Sequence, residues 1–328
     1  MYHVTTIGDA IIDTHVMIDN ASVECDINKS NCKLCLDYAK KIPITDSFQS
    51  VGGNAANVAI GIKKLGLNSN ILTSIGNDSN GKIVLEELER YDIPSDLVFT
   101  DEKSKTRYGI ALNFKGERTI LSYHQKRKYI FPKNLPETDW IYYSSLSEGF
   151  EDLQDKLIAY LKKHASFRLA FNPGSFQLKN SLAMVMEMLP HTNILVLNLE
   201  EAETILSTNL QKEKSVSAIL HKLLLAGARE VAITDGANGA WAGNEEEIWY
   251  LKSFPVEVVS KTGAGDAFSS GYLASKINGH DISEALKWGI ANSCGVIQHI
   301  GAQKGLLDQK EIKKIILKHS SIRPKKIF

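Results

Sequence analysis

The feature that most constrains the fold of this chain is a repeated alternation of short apolar runs with amphipathic segments. NILTSIG (70–76), DWIYYSSL (139–146) and NILVLNL (193–199) are each followed by a segment with helical spacing. NILVLNL is apolar on both faces, which is typical of a central parallel strand covered by helices on each side. The alternation predicts a layered α/β fold with a mostly parallel sheet and right-handed connections.

Two segments interrupt this alternation with strand-like runs that have no helix between them. They span residues 14–50 and 101–125, and we interpret them as one small β lid over the edge of the sheet. Residues 1–13, 51–100 and 126–328 are predicted to form the large α/β domain, which binds nucleotide and substrate.

The C-terminal part of the large domain follows a different pattern. GAWAGNEEEIWYL (239–251) is typical of a β-hairpin with acidic residues in its turn. Helical spacing then predicts helices over about 264–277, 282–298 and 308–319. The basic tail SSIRPKKIF (320–328) is predicted to be a solvated end.

Composition argues against several classes of protein. The 38 basic and 38 acidic residues of the 328-residue chain cancel, so no overall field favours nucleic acid or an anionic membrane. The sequence has no signal-like N-terminal segment and no apolar run of spanning length. Its four cysteines are unevenly spaced and do not make a secreted disulfide framework. We therefore expect a cytoplasmic protein with no membrane or nucleic-acid partner.

Three glycine-rich stretches are candidates for approaching a phosphate group. The first, GNDSNGKI (76–83), matches G-x-x-x-x-G-K, but a phosphate-binding loop of this kind needs Ser or Thr next, to bind magnesium. Ile83 occupies that position. We therefore interpret Gly81 as a turn residue and Lys82 as a solvated side chain.

The second stretch, VGGNAANVAIGIKKLG (51–66), places adjacent glycines before a helix. The glycines allow close approach of the backbone, and Asn54 and Asn57 in the first helical turns could bind sugar hydroxyls. A helix cap at Asn54, with alanines for tight packing, explains the same residues. The residues alone leave both interpretations open.

The third stretch, KTGAGDAFSSG (261–271), follows a strand and opens a predicted helix. This arrangement directs free backbone N–H groups at an anion, and Gly263 and Gly265 remove Cβ atoms that would hold a phosphoryl group away. Asp266 would repel phosphate if it only held an anion. It fits a base that accepts the proton of an attacking hydroxyl. An Asp that complements the helix dipole is the simpler alternative.

Together the second and third stretches resemble the signatures of the ribokinase-like (PfkB) family of carbohydrate and nucleoside kinases. Shorter agreements occur in order over nearly the whole chain: IGDAIID, SIGNDSNG, GERTIL, LNLEEAE, TDGANGAW and IGAQKG. The resemblance implies a three-layer α/β/α ribokinase-like fold with a small β lid, which closes over a sugar and often mediates dimerisation. Closure would exclude water as a competing acceptor.

The resemblance also implies roles for the matching residues. Asp266 would be the catalytic base, and the backbone of Gly263, Ala264 and Gly265 would form an anion hole for the transferring phosphoryl group. Asn198 and Glu201 would organise Mg²⁺ and its waters around the ATP phosphates, although from the residues alone a capped helix start is the preferred interpretation of this pair. Other positions would contact the nucleotide (Thr234, Gly236, Gly239 and Asn292) or the acceptor hydroxyls (Asp13, Gly52, Gly53 and Asn57).

One position departs from the family pattern. The family usually has an acidic residue where this chain has Ser260, followed by Lys261. In relatives that use potassium, this acid helps to hold the ion beside the anion hole. We hypothesise that Lys261 supplies positive charge instead of a monovalent cation.

The first lid segment contains three cysteines, Cys25, Cys32 and Cys35. A closed structural zinc site needs four ligands, and His15 or a partner chain could supply the fourth. Ordinary reduced thiols are the simpler interpretation.

The segment SYHQKRKY (122–129) groups His124, Lys126, Arg127 and Lys128 behind a predicted lid strand. Such a group could recognise a phosphorylated or acidic acceptor. A solvated turn is the simpler interpretation of a charge run.

The expected function is ATP-dependent, Mg²⁺-requiring phosphorylation of a hydroxymethyl group of a small sugar. A nucleoside kinase is the main alternative, because a ribose 5′-hydroxyl is the same kind of acceptor. A phosphosugar kinase and a non-catalytic sugar-binding protein are further alternatives. The expected assembly is a homodimer formed through the lid.

Overall fold

The structure is a computed structural model that describes residues 1–26, 32–115, 117–123, 125–164 and 166–328. The strands of this part of the chain are β1 (Tyr2–Ile7), β2 (Ile11–Ile18), β3 (Ser22–Cys25), β4 (Cys32–Cys35), β5 (Ile44–Gly52), β6 (Ser69–Gly76), β7 (Val98–Asp101), β8 (Tyr108–Phe114), β9 (Glu117–Ser122), β10 (Thr138–Tyr143), β11 (Arg168–Phe171), β12 (Ile194–Asn198), β13 (Val231–Thr234), β14 (Ala240–Gly243), β15 (Ile248–Leu251) and β16 (Lys325–Lys326). The helices are α1 (Asn54–Lys64), α2 (Ser79–Arg90), α3 (Glu151–Lys163), α4 (Ser175–Asn180), α5 (Leu182–Met188), α6 (Leu199–Ile205), α7 (Leu210–Glu213), α8 (Val216–Leu225), α9 (Ala264–Ile277), α10 (Ile282–Val296) and α11 (Gln309–Lys318), with 3₁₀ turns at Leu189–His191 and Gly236–Asn238.

The main sheet has ten strands in the order β16-β15-β14-β13-β12-β11-β10-β1-β6-β7. Its strands are parallel from β7 to β13, and the last three are antiparallel. The predicted mostly parallel sheet and the hairpin of β14 and β15 are therefore confirmed. After β1 the chain first adds β6 and β7 on one side of this strand and later adds β10 to β13 on its other side. The junction of β1 and β10 is thus a topological switch point, where open α/β sheets bind ligands at the carboxyl ends of their strands.

Each central strand contributes to two hydrophobic cores, because alternate side chains point to opposite faces. In β12, Leu195 and Leu197 pack into one core, while Ile194 and Val196 pack into the other. Side chains of α3, α5 and α8 close the first core, and those of α1, α9, α10 and α11 close the second. Burial on both faces explains why the central runs are apolar throughout.

A second sheet of four strands, in the order β5-β2-β8-β9, is formed by the two segments that interrupt the alternation. β2 pairs antiparallel with β5 and parallel with β8, and β8 pairs antiparallel with β9. The registers place Asp13, His15 and Arg118 on one face, which we call the inner face of the lid. The strands pass the predicted boundary, since β2 begins at Ile11 and β5 ends at Gly52.

The hairpin of β3 and β4 lies outside both sheets and contains a disulfide between Cys25 and Cys32. The expectation of reduced thiols is wrong for this pair, because the antiparallel register brings their Cα atoms to 4.0 Å. The disulfide also removes both as thiolate ligands for zinc, and Cys35 is a free thiol. His15 is buried and stacks on Phe48. Within the described ranges, no three His, Cys, Asp or Glu side chains cluster closely enough to hold a metal ion.

The basic tail is mostly exposed to solvent, as the sequence predicts, but it also contains an edge strand that the sequence does not predict. β16 pairs antiparallel with β15 at the edge of the main sheet, and Ile327 N donates a hydrogen bond to Ile248 O at 2.7 Å. The sequence does not reveal this strand because the pairing uses backbone groups, which leave no trace in the side-chain pattern. None of the helices in the described ranges combines the length and apolar character needed to cross a bilayer.

Candidate active site

The start of α9 presents backbone N–H groups to a cavity. Gly263, its N-cap, has a φ of 76°, and a Cβ there would lie 2.5 Å from Ala302 Cα, so the fold requires glycine at this position. A Cβ at Gly265 would meet no atom of the described residues within 4 Å. The fold therefore does not require glycine at 265. A glycine there leaves room for a ligand to come close to the helix start.

Asp266 lies in the first turn of α9, and its carboxylate is bonded to another helix. Oδ2 accepts a hydrogen bond from Asn57 Nδ2 of α1 at 2.8 Å. Asn57 is fixed in turn by Gln303, whose Nε2 donates to Asn57 Oδ1 at 3.1 Å. A carboxylate that served only the helix dipole would need neither partner. The two hydrogen bonds fix the orientation of the carboxylate, which a general base also requires.

Three carboxyl groups interact at this site, the buried Asp266 and the half-buried Asp13 and Glu201. Burial raises the pKa of Asp266 to about 6; the hydrogen bond from Asn57 opposes this shift, and the charge of Asp13 adds to it. Burial also raises the pKa of Asp13 to about 6, against the lowering effect of Arg118 and Arg107. The pKa of Glu201 rises to about 7 through burial first; the backbone N–H of Asn198 opposes this shift, and the charges of Asp266 and Glu200 add to it. Such a cluster is typical of a functional site.

The predicted acceptor glycines shape the backbone around two aspartates. A Cβ at Gly52 would overlap Asp13 Oδ2, and one at Gly53, where φ is 92°, would overlap the carbonyl oxygen of Asp9. Gly109 of the lid has the same effect, since its Cβ would lie 2.9 Å from Asp13 Oδ1. The carboxylate of Asp13 is thus held between the backbones of β5 and β8.

A largely apolar pocket of about 430 Å³ opens beside the start of α9. The predicted nucleotide residues Thr234, Gly236 and Gly239 line it together with Ala264 and Gly265. Most of its other walls are apolar and include Phe254, Pro255, Val256, Val258, Ile290 and Ile297. The size and apolar walls of the pocket suit the base of a nucleotide, and the helix start suits the phosphates of the nucleotide.

Asn292, which the sequence assigns to the neighbourhood of the base, does not line this pocket. It is fully buried, its Nδ2 donates to Ala267 O at 2.9 Å, and its Oδ1 accepts from Leu307 N at 2.9 Å. The next two residues, Ser293 and Cys294, line the pocket instead. Each residue turns a helix by about 100°, so a one-residue offset decides which side chain faces a ligand.

A smaller polar cavity of about 280 Å³ lies at the carboxyl ends of β1, β10, β11 and β12, next to the switch point. Its lining includes Asp9, Gly53, Asn54, Arg107, Ser145 and Glu201. Arg107 forms an ion pair with Asp9, which also accepts a hydrogen bond from Tyr129 OH at 2.7 Å. Asn54 accepts from Ser145 Oγ at 2.9 Å, so its side chain belongs to the cavity; the N-cap of α1 is Gly53.

Asn198 and Glu201 form a reciprocal capping box at the start of α6. Glu201 N donates to Asn198 Oδ1 at 2.8 Å, and Asn198 N donates to Glu201 Oε2 at 2.9 Å. These are the contacts expected of a capped helix start, which is the simpler interpretation of this pair. Glu201 also lines the polar cavity, where its charge interacts with that of Asp266. Oε2 thus caps the helix and leaves Oε1 for a cation or its waters.

Ser260, the position that departs from the family pattern, and Lys261 next to it both contact the lid. Arg118 Nη1 donates to Ser260 Oγ at 3.4 Å, and Lys261 Nζ lies 4.0 Å from Glu117 Oε1. The side chain of Lys261 is 73% exposed, whereas Arg118 is half-buried. Arg118 is therefore the better-placed positive group. Strong potassium dependence of activity would contradict the hypothesis that protein charge replaces a monovalent cation here.

None of the described residues of the basic segment 122–129 lines either of these two cavities. Arg127 is buried, and its guanidinium donates to the carbonyl oxygens of Ser74 and Lys105. Lys126 and Lys128 line a separate surface groove. His124 lies outside the described residues.

Arg107, Arg118 and Gln303 are candidate site residues that the sequence reasoning did not single out. They contact residues that are 98, 142 and 246 positions away in sequence, respectively. The one available signal is that Arg118 and Gln303 fall within the short agreements GERTIL and IGAQKG.

Comparison with known proteins agrees with this geometry. A profile described as pfkB family carbohydrate kinase matches residues 14–309. The chain is 26% identical over 328 residues to an ATP-dependent 6-phosphofructokinase of Thermoanaerobacterium thermosaccharolyticum, covering 95% of this chain and 93% of that protein. It is 25% identical over 290 residues to a nucleoside kinase of Methanocaldococcus jannaschii, covering 85% and 89%.

Solved structures share the fold. Arabidopsis thaliana ribokinase complexed with ribose and ATP superposes with a TM-score of 0.79 at 18% identity, covering 96% of this chain and 98% of that one. At this identity the likeness bears on the fold alone, and it shows that the fold is ribokinase-like.

Proposed function

The chain belongs to the pfkB family of carbohydrate kinases, and we propose that it transfers the γ-phosphoryl group of ATP to a hydroxymethyl group of a small neutral sugar. As a family member it is a phosphotransferase that acts on a sugar or nucleoside alcohol. The finer proposal depends on one observation: Asp266 is a buried, oriented carboxylate that follows Gly265 of the apolar pocket and interacts with Glu201 of the polar cavity.

In the proposed reaction the acceptor hydroxyl lies against Asp266, which takes its proton as the oxygen attacks phosphorus. Asn57 holds Oδ2 and leaves Oδ1 for the hydroxyl. A pKa of about 6 keeps Asp266 ionised at neutral pH and makes it a stronger base than an exposed aspartate. Backbone N–H groups at the start of α9 stabilise the charge that develops on the phosphoryl oxygens.

We propose Asn198 and Glu201 as the pair that organises Mg²⁺. This ion keeps several waters and needs only one or two carboxylates besides the phosphates, so a dispersed set of acids suffices. The mutual repulsion of Glu201 and Asp266 supports the assignment, because a divalent cation would relieve it. When bound, Mg²⁺ supplies charge neutralisation for the ATP phosphates.

The charges around the polar cavity support a neutral acceptor. Arg107 is already paired with Asp9, and Glu201 adds a further carboxylate. A phosphate group in this cavity would meet the carboxylates of Asp9 and Glu201. Arg107 is the one cation among the described residues that line the cavity, and it is already paired. The basic segment that suggested a phosphosugar lines a different groove.

A nucleoside kinase is the second candidate, and one observation favours it. Phe48 stacks on His15 at the inner face of the lid, with ring centroids 4.7 Å apart. An aromatic pair on the same face as Asp13 is suited to carry a nucleobase. A non-catalytic sugar-binding protein remains the weakest alternative, because binding alone has no use for an oriented base at 266.

We also propose a cytoplasmic homodimer formed through the outer face of the lid. Aliphatic side chains of β2, β5, β8 and β9 form a row on this face: Val16, Ile44, Ile110, Leu112 and Leu121. Ile44 is 52% and Leu121 54% exposed, which is high for such residues. In a reducing cytoplasm the exposed Cys25–Cys32 pair would be open to reduction.

A panel of neutral sugars, nucleosides and phosphosugars, assayed for ATP consumption with and without Mg²⁺, tests the proposal. We expect Mg²⁺-dependent transfer to a neutral sugar. Phosphorus NMR should then show a phosphomonoester at the oxygen of the sugar's hydroxymethyl group. Turnover confined to nucleosides would favour the second candidate. No turnover with any acceptor would contradict both.

A further inference from the structure

Residues 126–130, which lie between β9 of the lid and β10 of the main sheet, have two sides with different surroundings. The stretch belongs to no helix or strand, yet the burial of its side chains alternates. The exposed ones are Lys126, Lys128 and Ile130, and the buried ones are Arg127 and Tyr129. Such alternation is typical of an extended chain that lies against a protein surface.

The buried side of this stretch reaches the polar cavity. Tyr129 OH donates a hydrogen bond to Asp9 Oδ1 at 2.7 Å and accepts one from Ser147 N at 3.0 Å. Asp9 is part of the cavity lining. Arg127 N donates to Glu148 O at 3.0 Å and so fixes the stretch to the turn before α3. A displacement of the stretch would therefore move a side chain that holds Asp9.

The exposed side of the stretch lines a groove of about 540 Å³. Its lining consists of residues 126–130, Gly149, Asp152 and Lys156, and we call it the basic groove. Gly149 has a φ of 98°, and a Cβ there would overlap Arg127 O, so the stretch packs directly on this turn. The volume is in the range of sites that bind small molecules.

Positive charge exceeds negative charge in the basic groove. Among the described lining residues the cations are Lys126, Arg127, Lys128 and Lys156, and the one carboxylate is that of Asp152. Asp152 Oδ2 lies 2.6 Å from Lys156 Nζ, which leaves three cations without a carboxylate from the lining. The net charge of the whole chain is zero, so this excess is local.

These three cations have weak partners or neutral ones. Lys126 Nζ lies 3.9 Å from Glu148 Oε1, and because both side chains are exposed the pair contributes little. Lys128 forms no ion pair within 4.0 Å with any described residue. The buried guanidinium of Arg127 donates to two backbone carbonyl oxygens, and its Nε has no hydrogen-bond partner among the described residues. Carbonyl groups accept hydrogen bonds but do not cancel the charge.

We propose that the basic groove is an effector site for a small phosphorylated molecule other than the acceptor, and that binding there raises the affinity of the polar cavity for the acceptor through Tyr129. The lysines of the groove repel one another, and a phosphate group relieves this repulsion. The bound phosphate thereby favours the position of residues 126–130 in which Tyr129 holds Asp9. The effect on the acceptor rests on the proposed function, whereas binding to the groove does not.

Two triple variants and one single variant separate these steps. Lys126→Ala/Lys128→Ala/Lys156→Ala, the groove variant, removes the exposed cations. Lys310→Ala/Lys313→Ala/Lys314→Ala is the matched control, because it removes three exposed lysines of α11 that line none of the cavities described above. Tyr129→Phe keeps the lysines and removes the hydroxyl that contacts Asp9.

The first measurement is calorimetric titration of pyrophosphate into the full chain, with a non-hydrolysable ATP analogue filling the apolar pocket. We expect pyrophosphate to bind to the wild type, the matched control and Tyr129→Phe with similar affinity. Its affinity for the groove variant should be lower by about tenfold or more, because the attracting charges are gone. Absence of binding to the wild type, or equal affinity in the groove variant, would overturn the inference.

The second measurement is the KM for the acceptor with and without pyrophosphate, at saturating ATP and constant free Mg²⁺. We expect pyrophosphate to lower this KM by about fivefold or more in the wild type and the matched control, and to leave it unchanged in the groove variant and in Tyr129→Phe. A wild-type KM that does not respond, or an equal response in the groove variant, would overturn the effector role. Absence of turnover in the wild type would count against the proposed function, and the titration would then decide on the groove.

Discussion

At the scale of single residues, the site depends on three carboxyl groups placed where water stabilises their charges poorly. Asp13 and Asp266 have pKa values raised to about 6, and that of Glu201 is raised to about 7. Each shift has burial as its first cause, and the charges of neighbouring acids add to those of Asp266 and Glu201. Such groups cost stability, and a base that works near neutral pH needs this environment.

The first prediction concerns pH. Asp266 accepts a proton only when ionised, and Glu201 binds a cation only when ionised. We therefore expect kcat/KM with a neutral sugar to rise with pH between about 5 and 7.5 and then to level off. A pH–rate profile at saturating Mg²⁺ measures this. A profile that is flat down to pH 5, or that falls as pH rises through this range, would contradict the assignment.

The second prediction concerns stability. The folded-state pKa of Asp266, about 6, lies above the ordinary aspartate value of 3.8. The protonated form therefore favours folding, and this contribution is lost as pH rises between the two values. At neutral pH this shift in pKa corresponds to a free energy of unfolding that is lower by about 3 kcal/mol. Asp266→Asn keeps an acceptor for Asn57 and removes the buried charge. We expect it to melt a few degrees above wild type at pH 7.5, with a smaller difference at pH 5, by calorimetry. A lower melting temperature at pH 7.5 would be inconsistent with a costly ionised carboxylate.

Sequence reasoning at this scale works where one local motif holds the chemistry. Asp266 stands directly after the small residues that explain it. Arg118 and Gln303 become interpretable only when the fold brings α9, α1 and the lid together. Asn292 shows a different limit, because the side chain one position further along the same helix lines the pocket, and a sequence motif does not resolve an offset of one residue.

At the scale of elements, the start of α9 carries two glycines with different causes. Gly263 adopts a left-handed conformation and lies against Ala302, whereas a Cβ at Gly265 would meet open space. The turn thus requires the first glycine, whereas we propose that the second leaves room for a ligand.

The third prediction follows from this difference. Gly265→Ala should fold with a melting temperature close to wild type and lose nucleotide affinity, because its methyl group would meet only the bound phosphates. Gly263→Ala should lower stability by roughly 1–3 kcal/mol, because it needs a positive φ and collides with backbone. Thermal melts and nucleotide titrations of both variants measure these effects. Equal nucleotide affinity in Gly265→Ala and wild type would argue against phosphate binding at this helix start.

The elements that are well predicted from the sequence are those whose pattern of apolar and polar side chains reflects which faces are buried. β12 is apolar on both faces because helices cover both, and the β14–β15 hairpin shows its turn in the sequence. β16 was missed because two lysines at a sheet edge pair through backbone alone. The Cys25–Cys32 disulfide was missed because the spacing of cysteines does not reveal a hairpin register.

At the scale of the whole molecule, the site is assembled between two sheets. The switch point between β1 and β10 opens the polar cavity, α9 opens the apolar pocket, and the lid brings Asp13 and Arg118 from the other side. Neither sheet alone holds the reacting groups. Lid closure is therefore part of the proposed chemistry.

The fourth prediction concerns assembly. If the outer face of the lid forms the dimer, a charge in its aliphatic row should separate the subunits, because it would be buried unpaired. We expect Leu121→Arg to convert a dimer to a monomer by light scattering. Leu317→Arg, at another exposed leucine on α11, should leave the dimer intact. A monomeric wild type at micromolar concentration would contradict the proposed dimer.

The fifth prediction tests the central claim, that Asp266 takes the proton of the acceptor. The measurement is the turnover of Asp266→Asn with ATP, Mg²⁺ and the accepted sugar, together with its affinity for ATP. We predict a kcat lower by about a thousandfold, with ATP affinity close to wild type, because the amide keeps the bond to Asn57 and cannot accept a proton. Turnover equal to that of the wild type would contradict the account.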